Sequence, residues 1–110
     1  MLENGDVEGA CNRAYYAMFD AAHAALLRHR ADINSAETRT HSGLITAFGK
    51  HLVKTGLVAS ELGRALNQVE RIRLLADYTG EEITQDKAVW VVEQAAAFVE
   101  AMRGSLTDEP

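Results

Sequence analysis

The only proline in this chain of 110 residues is its last residue, Pro110. Proline breaks helices because it lacks a backbone donor and its ring clashes with the preceding turn. With none in the interior, and with strong helix formers throughout, long helices are unobstructed. A chain of this length is one domain, residues 1–110, with one modest core. It holds no apolar run near the roughly 20 residues that a bilayer crossing needs, so no membrane segment is expected. Glu3, Asp6 and Glu8 make the start acidic, unlike a secretory or transit peptide. The lone Cys11 can form no internal disulfide, which fits a reducing cytoplasm. The expectation is a cytoplasmic, all-α protein.

Glycine marks the element ends that proline does not. Asn4-Gly5-Asp6 is a turn signal followed by an N-cap. From Asp6 to about Arg30, residues Ala10, Ala14, Ala17, Met18, Ala21, Ala22, Ala25 and Leu26 recur at helical spacing. Their small size predicts a closely approaching neighbour helix. Ala31 to Thr40 reads as a polar loop. A second helix is expected from Thr40 to near Lys54, with an apolar face of Leu44, Ile45, Phe48, Leu52 and Val53, and Gly56 beyond its end. A third starts at Ser60 as N-cap and runs to about Tyr78, before Gly80. A fourth follows Thr84 through Trp90, Val91, Ala95, Phe98 and Met102 to Gly104. Short links between four long amphipathic helices predict an antiparallel up-down bundle. The first helix is apolar around more than half of its circumference, so a preceding helix or a partner chain is expected to cover it.

The net charge of −5 averages two unlike regions. From Arg28 to Arg73, eight basic residues face four acidic ones, a balance of +4 that leaves −9 for the rest. Such a segment either marks a polyanion-binding face or simply coats the solvent sides of two helices, and charge alone favours the second.

The densest polar cluster closes the third helix. At about 100° per residue, Glu70, Arg73 and Asp77 share one face, and Arg71 and Tyr78 nearly eclipse on another. Arginine neutralises phosphate or charge developing at phosphorus. By spacing alone, however, the first set is an intrahelical ladder worth a few tenths of a kcal/mol. His41 falls at the start of the second helix, as a first-turn hydrogen-bonding residue or a neutral base. His51 lies on a different face. No metal-ligand spacing of His, Cys or carboxylates occurs, and no phosphate loop, GxSxG or dinucleotide fingerprint, so neither a metal nor a cofactor is expected. Cys11 reads as packing.

Longer segments are more specific. Asn12-Arg13-Ala14-Tyr15-Tyr16-Ala17-Met18-Phe19-Asp20-Ala21-Ala22 resembles the hallmark segment of small prokaryotic HEPN-domain proteins. The likeness continues through Thr40-His41-Ser42-Gly43, Phe48-Gly49-Lys50, Val53-Lys54-Thr55-Gly56-Leu57 and Glu61-Leu62-Gly63-Arg64. It ends at Arg73-Leu74-Leu75-Ala76-Asp77-Tyr78. The resemblance implies a helical bundle that dimerises and acts as a toxin on RNA. It also implies neutralisation by a minimal nucleotidyltransferase that adds nucleotides to a tyrosine. Catalytic family members resemble one another in an arginine, then four to six residues, then a histidine; after Arg71 or Arg73 no histidine falls in that window, and Asp77 and Tyr78 stand there instead. The resemblance also implies a further helix ahead of the Asn4-Gly5 turn, so the sequence is expected to be short at its start.

Carried onto this sequence, the resemblance makes Arg73, Asp77 and His41 the candidate catalytic residues, with His41 as base. Arg71, Arg73 and Tyr78 become candidates for holding RNA or nucleotide. Tyr78 is the candidate for nucleotide addition, ahead of Tyr15 and Tyr16. Two activities stay open: a metal-independent endoribonuclease, and a non-catalytic module that binds nucleotide, RNA or protein.

Overall fold

The computed structural model describes residues 7–29 and 35–106, and all the regular structure among them is helical. The order is α1 (Val7–His29), a 3₁₀ turn (Ser35–Thr38), α2 (His41–Phe48), a π turn (Gly49–Val53), α3 (Ser60–Thr79) and α4 (Gln85–Leu106). The expected all-α bundle is present. The turn expected at Asn4-Gly5 lies outside the described residues, as does most of the first half of the loop expected from Ala31.

Three boundaries differ from expectation, each for a local reason. Ser60 is the first residue of α3 rather than its cap; Ala59 takes the cap position with extended backbone and offers no side-chain hydrogen bond. The second helix is not uniformly α. Past Phe48 its hydrogen bonds lengthen by one residue, so that the Lys54 amide donates to the Gly49 carbonyl at 2.9 Å. Such π turns insert a residue without ending the helix, and Phe48 and Leu52 stay buried on either side of it. Finally, α4 continues through Gly104 to Leu106.

The other ends follow the sequence. The Thr40 hydroxyl accepts the Gly43 amide at 3.0 Å and so caps α2, and the Thr84 hydroxyl accepts the Lys87 amide at 3.2 Å at the head of α4. Gly80 stops α3 in the left-handed conformation, φ 76°, which only glycine adopts freely.

Helix α1 packs chiefly against α4. Ala10, Ala14, Ala22 and Ala25 on α1 and Ala88 and Ala95 on α4 are buried, and their small side chains let the two helices approach closely. The broad apolar face of α1 is therefore largely covered within the chain, with Tyr16 and Leu27 left half exposed. That corrects the expectation that a partner or a further helix must cover it. Phe48 and Phe98, both fully buried with ring centroids 5.6 Å apart, join α2 to α4. The start of α2 lies level with Glu70, while Val53 at its far end crowds Gly63, so α2 and α3 run antiparallel.

Gly43 is where the 3₁₀ turn presses on α2. A Cβ there would stand 2.3 Å from the Glu37 carbonyl oxygen and 2.9 Å from the Thr40 hydroxyl. Helix propensity alone favours Gly43→Ala by about 1 kcal/mol. The clash is with backbone, so we expect the opposite sign: a net loss of about 1–3 kcal/mol, the usual range for overpacking. Urea denaturation measures it, and a stabilised variant would contradict the close approach.

Candidate functional site

Tyr15 is the centre of the most elaborate polar arrangement among the described residues. It is 2 % exposed, at the middle of α1, yet its hydroxyl has two partners from distant segments. One is the Glu70 carboxylate on α3, which accepts the phenolic proton at 2.5 Å. The other is Nδ1 of His41, in the first turn of α2, also at 2.5 Å. Helical periodicity buries Tyr15 with Met18, Ala22 and Leu26, while the Thr40 cap fixes the turn that carries His41.

Aromatic and cationic neighbours complete the cluster. The His41 ring stacks on Phe19, with centroids 4.4 Å apart and planes at 29°. The Arg73 guanidinium lies over the Tyr15 ring, 4.5 Å from its centroid, and 5.5 Å from that of Tyr16. Its Nε is 3.9 Å from Asp77 Oδ2, one turn further along α3.

Burial, reinforced by the hydrogen bond to the Glu70 carboxylate, raises the Tyr15 pKa far above the usual phenol range. Tyr15 is thus a neutral hydroxyl at any physiological pH, and it is closed to solvent. For Arg73, burial works against the charge, but the hydrogen bond to Tyr16 and the Asp77 carboxylate outweigh it and the pKa rises. Arg73 is a permanent cation on an aromatic bed. Burial also raises the Cys11 thiol despite Arg73 nearby, consistent with its reading as a packing residue.

The cluster gathers the segments with the strongest family likeness, and comparison with known proteins bears that likeness out. The HEPN domain family matches residues 1–105. This chain belongs to the HEPN family. It is 37% identical to UPF0332 protein glr0978 of Gloeobacter violaceus over 81% of this chain and 68% of that protein. It is 31% identical to "Putative toxin MJ0605" of Methanocaldococcus jannaschii over 98% of this chain and 77% of that one. A UPF0332 protein of Thermotoga maritima is 33% identical over 98% of this chain and 79% of its own length. No solved structure matches the chain.

Within this HEPN domain the proposed residues divide into two places. Arg73 and His41 meet at Tyr15, with Asp77 joined to them only through Arg73, whereas Arg71 and Tyr78 line a separate shallow groove with Asn67, Leu74 and Leu75. Only Glu70 borders both. Tyr78 is 91 % exposed at the end of α3. The ladder expected along α3 is half formed: Arg73 pairs with Asp77, but Glu70 turns to Tyr15. His51 lies apart from His41, with Nε2 3.9 Å from Glu37 on the 3₁₀ turn. From sequence, Tyr15 is only a lesser candidate for nucleotide addition, against which its burial speaks, and Glu70 only a rung of the α3 ladder. Tyr15 falls on the apolar stripe of α1, and only the polar hydroxyl on a core position hinted that it needed a buried partner. Among the described residues no group of three or more His, Cys, Asp or Glu is placed to hold a metal ion, and no helix is long and apolar enough to cross a membrane.

Proposed function

We propose that this HEPN chain is the toxin of a toxin–antitoxin pair, acting on RNA in the cytoplasm as a metal-independent endoribonuclease. The observation that carries this reading is that His41 and Arg73, 32 positions apart, both engage the Tyr15 phenol. A base and a fixed cation held on the same phenol suit cleavage of a phosphodiester: the imidazole takes the proton of the attacking hydroxyl while the guanidinium stabilises charge growing on the phosphate oxygens. This arrangement supplies a histidine from α2 where the family's arginine-to-histidine spacing on α3 is lacking. The name of MJ0605 supports the toxin role.

The antitoxin in this reading is a minimal nucleotidyltransferase, and Tyr78 is its target. An exposed hydroxyl beside Arg71 can receive a nucleotide, since the guanidinium neutralises the incoming phosphate. The chain acts as a homodimer, for which Leu74 and Leu75 on α3 and Val89 and Val92 on α4 offer exposed apolar surface.

A direct test incubates the purified protein with RNA in EDTA, before and after treatment with the cognate nucleotidyltransferase and ATP. Cleavage is expected beforehand. Treatment is expected to add nucleotide mass to Tyr78 and stop cleavage, with Tyr78→Phe escaping both effects. One observation favours a second reading, a non-catalytic module: Asp77 partly neutralises Arg73 and repels phosphate. RNA bound but never cut would select it.

A further inference from the structure

The Tyr15 hydroxyl carries one proton and stands between two groups that both reach for it. A carboxylate only accepts hydrogen bonds; a neutral imidazole donates from one nitrogen and accepts at the other. Since Glu70 takes the phenolic proton, the hydrogen bond with His41 is made the other way round, with the ring N–H donating to the phenolic oxygen.

We propose that Tyr15 and Glu70 are positioning residues that hold neutral His41 in the tautomer protonated at Nδ1, leaving the Nε2 lone pair as the only basic position of the ring. The inference deepens the reading of His41 as the base and rests on it for its catalytic meaning, but the tautomer is a property of the folded protein itself. Phe19 fixes the ring plane by stacking, so hydrogen bonding sets the proton and packing sets the direction. The groups around the imidazole are Tyr15 and Tyr16 from α1, with Glu70 and Arg73 of α3 reaching it through Tyr15. Among the described residues no side chain takes Nε2, so the lone pair is left for a substrate proton. Outer partners of this kind fix tautomer and ring orientation for histidines elsewhere.

The chain of donors also predicts how each substitution fails. In Tyr15→Phe the oxygen that accepts from Nδ1 is gone, and the proton redistributes between the two nitrogens. In Glu70→Gln the carboxamide can donate to the phenolic oxygen, so Tyr15 is free to donate to Nδ1 and drive the proton to Nε2. The second variant keeps the core intact.

Long-range proton–nitrogen correlation spectra of the full chain, uniformly labelled with ¹⁵N, tell the two tautomers apart. With His41 assigned by its absence in His41→Gln, the wild type at mildly alkaline pH is expected to show a single Nδ1-protonated form. Tyr15→Phe and Glu70→Gln are expected to lose that signature. RNA cleavage by either variant is expected to fall by about 10–100-fold, the usual weight of a histidine's outer partner. A wild-type spectrum protonated at Nε2, or spectra unchanged in both folded variants, overturns the assignment. The expected spectra with no RNA cleavage by the wild type would leave the positioning role standing and overturn the nuclease reading instead.

Discussion

Replacing Arg73 with alanine is expected to abolish RNA cleavage and relieve growth arrest in cells that lack the antitoxin, while the fold survives. Arg73 adds only modestly to stability. Cation–π interactions at partly exposed sites are worth about 0.5–1 kcal/mol, and a pair with a largely exposed carboxylate about 0–1 kcal/mol. Arg73 itself is 21 % exposed and Asp77 66 %. The catalytic effect is of another order, because a fixed donor aimed at developing negative charge contributes about 10²–10³ in rate. Arg73→Lys should fall between, since lysine keeps the charge but not the flat face that lies on Tyr15 and Tyr16. Cleavage rates, together with growth after induction, measure the effect. A folded Arg73→Ala protein with full activity would remove Arg73 from the site.

The largest expected effect on stability belongs to Phe98→Ala. Its ring is fully buried and meets Phe48, so it ties α4 to α2. Phe→Ala in a packed core costs about 3–5 kcal/mol, combining forfeited transfer energy with the cavity left behind. Domains of this kind have about 5–15 kcal/mol in all. The variant is therefore expected to shift the urea midpoint drastically or to leave the chain largely unfolded. Glu93→Ala, on the exposed side of the same helix, should change stability by less than about 0.5 kcal/mol. Comparable effects at the two positions would contradict the orientation of α4.

The helices could be located from sequence because their signals are local. Apolar periodicity, the helix starts at Thr40 and after Thr84 and the stop at Gly80 each act within one or two turns and are found where expected, whereas the cap expected at Ser60 falls to Ala59. What failed was also local but depended on crowding. Nothing in Gly49-Lys50-His51-Leu52-Val53 distinguishes a π turn from an α turn; the difference comes from how Phe48 and Leu52 are seated in the core. Likewise Gly43 looks like a poor helix residue until the Glu37 carbonyl is seen above it.

The site was legible only in halves. Helical geometry alone put Arg73 and Asp77 on one face and Arg71 and Tyr78 on another, and the structure keeps that division. The link from His41 to α3 could not be read, because it passes through a residue whose spacing marks it as core. Tyr15 serves both roles, with its ring in the apolar interior and its hydroxyl in a polar relay. A one-dimensional pattern records only the first.

The relay from Glu70 through Tyr15 to His41, with Arg73 above it, draws on three helices and closes only when α3 is in place. A growing chain on the ribosome can display α1 and α2 in full and still lack both Glu70 and Arg73. On the proposed toxin reading, harm begins only after most of the protein has been made and folded. The proposed antitoxin, if synthesised alongside it, would gain that interval and would need to reach a finished domain rather than race the emerging chain.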